Sequence, residues 1–339
     1  MSGRRASVAV ALAGALLVGW GAHLHLARTY VVVSPGPAEK LSEMVKVEGG
    51  SRDAKGAFLL TAVTSGPAGL LSLVNAAVSP VVDLVPRSRE IPPGLDSRKY
   101  LKIMESLMRE SEVIAGAVAL RKLGIEVVVE TAVRVEEVLR ESPSEGLLRE
   151  GDVILAVDGR PVKTADEAVR RIGARKPGTP VDLTVRRDGQ VEELTIRTVP
   201  HPENRARAAV GILVSASITQ DLPLAITINP RDIKGSSAGL MFALEILDQL
   251  DPRDLTSGHV IAGTGTIDLA GVVGPVGGVK QKVAAAMRAG AQYFLVPFEN
   301  LEEAKTAATS LEVIAVDDVD DALRALEEIA GRGNGASGE

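Results

Sequence analysis

The chain has 339 residues and a formal net charge of −6, long enough for two domains of roughly 100–200 residues each plus an anchor. The acidic balance, with no basic stripe interleaved with aromatics, excludes a nucleic-acid groove as partner. The absence of cysteine excludes disulfides, thiolate metal sites, iron–sulfur clusters and a cysteine nucleophile.

The first predicted element is residues 6–27, which carry no Asp, Glu, Lys or Arg. A helix needs about 20 apolar residues to cross a bilayer, so this stretch reads as a transmembrane anchor. Arg4 and Arg5 precede it and favour a cytoplasmic N-terminus, which would put the C-terminal domains outside the cell membrane. A cleaved signal peptide is the competing reading; no small-x-small cleavage site before Arg28 supports it. Trp20, His23 and His25 read as interface residues rather than metal ligands.

Beyond the anchor, Tyr30–Val33 and Phe58–Val63 read as strands, with turn chemistry at Pro35-Gly36-Pro37 and Gly49-Gly50. Residues 67–95, with Pro80, Pro86, Pro92 and Pro93, show no assignable period. A long amphipathic helix follows. Asp96 or Ser97 can cap it, Met104, Leu107, Met108, Ile114 and Val118 recur at helical spacing, and Gly124 ends it.

The texture then changes. The run Ser142-Pro143-Ser144-Glu145-Gly146, Gly151-Asp152-Val153-Ile154 and Val157-Asp158-Gly159 leads to a helix at about 164–173. Strands Val181–Arg186 and Val191–Thr198 follow, joined at Asp188-Gly189, a hairpin signal. Residues 129–200 closely resemble a bacterial PDZ domain, a class that binds extended peptides by adding a strand to a sheet edge. The carboxylate-binding loop would fall near Glu130–Val133, where the usual glycine-flanked sequence is missing, so a structural spacer is a second reading of this module. After a linker at His201–Arg205, the chain alternates strand and helix. Strands are predicted near 210–216, 224–228, 259–263 and Tyr293–Val296, and helices at 237–249 and about 280–289. A hairpin is expected around Gly271, a helix, strand and helix close the domain, and the tail 331–339 is expected to be disordered.

Gly235-Ser236-Ser237-Ala238-Gly239 places a serine among small residues before an apolar helix. The glycines permit a tight turn, and amides in a first helical turn can stabilise an oxyanion. A plain serine N-cap fits the same residues. A serine nucleophile needs a base. His23 and His25 lie in the anchor, His201 in the linker, and His259 opens an apolar strand, where a structural role suits it. Gly277-Gly278-Val279-Lys280-Gln281-Lys282 offers lysines in a first helical turn, where the dipole disfavours the ammonium form; ordinary exposed helix lysines are the alternative.

The two segments together resemble the proteolytic domain of Lon proteases. Gly235–Gly239 is similar to the Gly-Pro-Ser-Ala-Gly nucleophile motif, Ala262–Ile267 to the family's strand and Thr-Gly turn, and Gly271–Lys282 to the segment carrying the catalytic lysine. Ala289-Gly290-Ala291, Val296-Pro297 and Glu299-Asn300 continue the likeness. The resemblance implies Ser237 as nucleophile, Lys282 as general base, Thr264 as support for the lysine amine, and amides near Gly235–Ala238 as oxyanion donors. Strand Phe58–Val63 and the long helix resemble the opening of the same domain, so the PDZ-like module would be inserted within it. The expected fold is therefore α+β: a Lon-type proteolytic domain over 30–128 and 205–330, an inserted PDZ-like module and one N-terminal transmembrane helix.

The layout resembles the membrane-anchored, PDZ-containing Lon-like proteases. The function implied is ATP-independent cleavage of flexible peptides or unfolded proteins, without metal or cofactor, and a homo-oligomer is among the partners it implies. Two departures stand out: Ser236 replaces the motif's proline, and Lys234 stands where full Lon proteases carry an acidic residue. A catalytically inactive, membrane-anchored scaffold is the rival these departures keep open. No Gly-x-x-x-x-Gly-Lys-(Ser/Thr) loop occurs in the chain,.

Overall fold

The computed structural model describes residues 14, 17, 19–51, 55–91, 97–127, 129–202, 204–220 and 222–335. Part of the expected anchor at 6–27 lies outside the described residues. Among the described residues no helix is long and apolar enough to cross a membrane. Residues 19–29 are helical.

The larger unit is built on a six-stranded mixed sheet, in the order Glu312–Val316, Tyr293–Pro297, Val260–Gly263, Ala57–Pro67, Tyr30–Lys40 and Asp83–Pro86. Its first four strands run parallel to one another, Tyr30–Lys40 runs antiparallel to them, and Asp83–Pro86, antiparallel to Tyr30–Lys40, returns to their direction. Side chains alternate across a strand, and both faces here are apolar. Phe58, Leu60, Ile261 and Leu295 pack on one face with the helix Gly239–Leu250, the long helix Ser97–Lys122 and the last helix Val319–Gly335. Ala57, Leu59, Ala262, Phe294 and Val296 pack on the other, with Val279 and Val283 of the helix Val279–Arg288 and Ala304 of the helix Leu301–Ala307. Covering both faces is what permits a parallel sheet with near-continuous apolar strands.

The smaller unit is an antiparallel sheet, in the order Ile212–Gln220, Val129–Val138, Val153–Val157, Pro180–Arg187 and Gln190–Arg197, with Arg160–Pro161 paired to the third of these. The helix Ala165–Gly173 closes its core through Ala168 and Ile172, against Val133, Ile154, Leu183 and Ile196. The hairpin at Asp188-Gly189 has positive φ at both positions, 48° and 83°, as a two-residue turn matched to strand twist requires.

The structure amends four expectations. The strand expected near 210–216 runs from Ile212 to Gln220 and pairs along the length of Val129–Val138. That pairing extends the smaller unit past residue 200. Residues 67–95 hold a helix, Leu70–Val78, a strand, Asp83–Pro86, and one short turn of helix, Arg87–Glu90. The serine helix starts at Gly239, not 237. Of the expected disordered tail, residues 331–335 continue the last helix, which Leu326 and Ile329 bury in the core and Arg332 ties to Glu312 at 2.9 Å; 336–339 lie outside the described residues.

Candidate active site

The helices Gly239–Leu250 and Val279–Arg288 lie on opposite faces of the large sheet, and their N-terminal ends meet over the carboxyl end of strand Val260–Gly263. Ligands of open α/β sheets characteristically bind outside the carboxyl ends of the strands. The loop before the first helix is fastened on two sides. Gly235 takes φ 97°, a conformation that costs a side chain dearly, and its N–H donates to the Met104 carbonyl at 2.9 Å. The buried Ser111 hydroxyl donates to the Ser236 carbonyl at 3.1 Å. The Ser237 carbonyl accepts from the Gly265 amide and the Thr264 hydroxyl, each at 3.0 Å. A Cβ on Gly239 would stand 2.6 Å from Ile267 and 2.8 Å from Ser111 Oγ, so only glycine lets this loop sit so close.

The second helix is entered through Gly278 at φ 69°. Residues two apart on a helix face different ways, and the two lysines do so. Lys280 Nζ reaches outward to Asp83 at 2.7 Å. Lys282 turns inward and is 3 % exposed. Its Nζ lies 2.8 Å from Ser237 Oγ and 2.9 Å from Thr264 Oγ1. Burial pushes its ammonium down from 10.5 to about 8, because the charged form gives up its hydration. Thr264 is fully buried. Its proton is committed to the Ser237 carbonyl, so its oxygen lone pairs face the amine.

Residues 225–328 match the Lon protease (S16) C-terminal proteolytic domain, and residues 122–198 match the PDZ domain. The chain joins a PDZ domain to a Lon-type proteolytic domain. It is 28 % identical over 155 residues to a Lon protease of Phenylobacterium zucineum, covering 44 % of this chain and 19 % of that protein. To a Lon protease of Campylobacter concisus it is 38 % identical over 100 residues, 28 % of this chain and 12 % of that one. The chain thus spans less than a fifth of the length of these curated relatives. The PDZ domain of the SdrC-like protein of Listeria innocua is 27 % identical, covering 24 % of this chain and 92 % of that chain, with a TM-score of 0.23.

Within the Lon-type domain the structure brings together Ser237, Lys282 and Thr264, and it separates Gly235 from the oxyanion role that its resemblance implied. The Gly235 amide is occupied by Met104; what Gly235 contributes is the turn. The amides of Gly239 and Leu240 are also occupied, by the carbonyls of Ser236 and Gly265. Ala238 is the buried cap residue of the helix. Lys234, which could have depressed the Lys282 amine by its charge, instead pairs with Glu105 of the long helix; burial alone lowers Lys282. His259 bonds Gln292 at 3.0 Å and stacks edge-on against Tyr293, a structural role.

Sequence reading missed Ser111, which lies 125 residues from its partner Ser236; a polar residue on the apolar stripe of the long helix was the available signal. Asn300 was noted only as part of a likeness. It clamps Val276 from both sides, accepting from its amide at 2.8 Å and donating to its carbonyl at 3.1 Å, and so fixes the glycine loop ahead of the lysine helix.

Proposed function

We propose that this chain is an ATP-independent serine endopeptidase that cleaves flexible peptides or unfolded proteins with a Ser237–Lys282 dyad. The observation that carries the reading is the buried Lys282 amine, 2.8 Å from the Ser237 hydroxyl, where burial pushes its ammonium down to about 8. Neutral Lys282 takes the Ser237 proton while still donating an N–H to Thr264, and Ser237 Oγ attacks the peptide carbonyl. The amides of Ser237 and Ala238, which donate to no carbonyl among the described residues, receive the oxyanion. Lys282 then returns its proton to the leaving amine, and water resolves the acyl-enzyme.

One departure from the family motif, Lys234, is turned to an acidic partner on the long helix, Glu105, and the other, Ser236, offers its carbonyl to Ser111. These contacts favour a working enzyme over a scaffold. Absence of a phosphate-binding loop from the sequence supports independence from ATP, and the uncharged stretch 6–27 behind Arg4 and Arg5 supports anchoring with the peptidase at the outer face of the membrane. The test is cleavage of casein by the parent, Ser237→Ala and Lys282→Ala. Loss by at least a hundredfold in both variants is expected, since removing a nucleophile or its base costs several orders of magnitude. Cleavage that survives either change removes that residue from the mechanism.

A further inference from the structure

The cleft beside the nucleophile loop is not enclosed by the Lon-type domain alone. It holds about 840 Å3, toward the top of the ~300–1,000 Å3 typical of ligand sites. Ser236, the neighbour of the nucleophile, lines it together with Val272 and with Leu107 of the long helix. The PDZ domain lines it as well: Val214 from the strand Ile212–Gln220, and Ala165 and Arg170 from the PDZ helix.

That strand is the outermost of the PDZ sheet, pairing with Val129–Val138 on one side. An outer strand offers a row of backbone donors and acceptors to an extended chain. The two domains are also pinned beside the cleft. Glu136 is skipped in the register of the two PDZ strands, and its carboxylate accepts from Ser215 Oγ at 2.5 Å and from Ser106 Oγ of the long helix at 3.2 Å. Lys99 of the same helix pairs with Glu137. The PDZ wall therefore stands at a fixed place relative to Ser237.

We infer that the PDZ domain is a wall of the peptidase's own substrate cleft, and that one extended, apolar-rich segment of an unfolded substrate spans from the edge of strand Ile212–Gln220 to Ser237. This deepens the peptidase reading and rests on it. The apolar lining at Leu107, Val214 and Val272 favours apolar side chains, with Glu110 and Asp268 adding acidic positions, and the strand edge sets the extended form. A folded substrate would find no such strand to add. The PDZ domain thus selects the same stretch of chain that is cut, rather than holding a distant tag.

The cysteine-free sequence permits a direct test with single thiols coupled to a bulky maleimide in the full active chain. Ala165→Cys lies on the PDZ wall; Val191→Cys, at a position 62 % exposed on the far hairpin, is the control. Coupling at 165 should raise the KM for casein about tenfold, a loss of about 1.4 kcal/mol of binding, while coupling at 191 leaves it unchanged. Equal KM before and after coupling at 165 overturns the shared cleft and leaves the peptidase reading standing. If the uncoupled chain cleaves casein no faster than Ser237→Ala, the peptidase reading itself falls, and this inference with it.

Discussion

Ser111 is the residue that most changes how the site is understood. Its hydroxyl holds the Ser236 carbonyl and so turns the Ser236–Ser237 peptide, whose N–H we assign to the oxyanion. Ser111→Ala should therefore lower kcat about tenfold, less than the roughly hundredfold or more that losing an oxyanion donor itself costs, with KM little moved; a change confined to KM would contradict a positioning role. Thr264→Val removes both the acceptor for the buried Lys282 amine and one of the two donors to the Ser237 carbonyl, which keeps the Gly265 amide. Such a loss costs roughly 1–3 kcal/mol of stability, readable as a fall in Tm alongside the activity loss. Glu112, on the long helix, is pushed up to about 7 by burial, partly offset by Arg109. A carboxyl raised in the native state contributes stability below its unfolded value, near 4.5, and that stability is lost as pH rises through about 7. Glu112→Gln should accordingly raise Tm at pH 8 and much less at pH 5, by thermal melts at both; equal shifts at the two values would remove Glu112 from the pH dependence.

At the scale of elements, what could be read from the sequence was what is locally encoded. The PDZ hairpin announced itself through Asp188-Gly189, the PDZ helix through its apolar period, and the long helix through Met104 to Val118. The lysine helix was legible by its glycine lead-in, and so was the inward choice between Lys280 and Lys282 once the family spacing was applied. The sheet that strand Ile212–Gln220 joins was not legible, because its partner, Val129–Val138, lies some eighty residues earlier, and a strand's period says nothing about which edge it joins. The serine helix was started too early because Ser236-Ser237 resembles a cap, whereas the amides that a cap would satisfy are taken by carbonyls from the 236 and 265 positions. Gly278 is where element geometry is most exposed to mutation. It sits at φ 69°, and a Cβ there would lie 2.6 Å from Val63 Cγ1. Gly278→Ala should cost at least about 1–2 kcal/mol from backbone handedness alone and shift the lysine helix, measured as a lower denaturation midpoint together with reduced activity. An unchanged midpoint would show that the turn relaxes without strain.

For the whole molecule, the order of the chain and the order in space differ. Strand Ala57–Pro67 precedes the PDZ domain and strand Val260–Gly263 follows it, yet the two lie side by side in one sheet. Strands Val45–Val47 and Ile226–Ile228 pair likewise. The larger unit is thus built from segments on both sides of the PDZ domain, which ties the PDZ domain to it by two chain connections rather than one. The nucleophile loop and the lysine helix, arriving from opposite faces of the large sheet, bury an amine that would otherwise stay charged. The most direct measurement of this account is the pH dependence of kcat/KM for casein between pH 6 and 10. Protonated Lys282 cannot accept the Ser237 proton, so kcat/KM should rise with pH through a midpoint near 8, the value to which burial lowers the amine, and Lys282→Ala should remain at the floor throughout. A midpoint near the ordinary 10.5, or a Lys282→Ala variant that follows the parent's curve, would contradict the dyad.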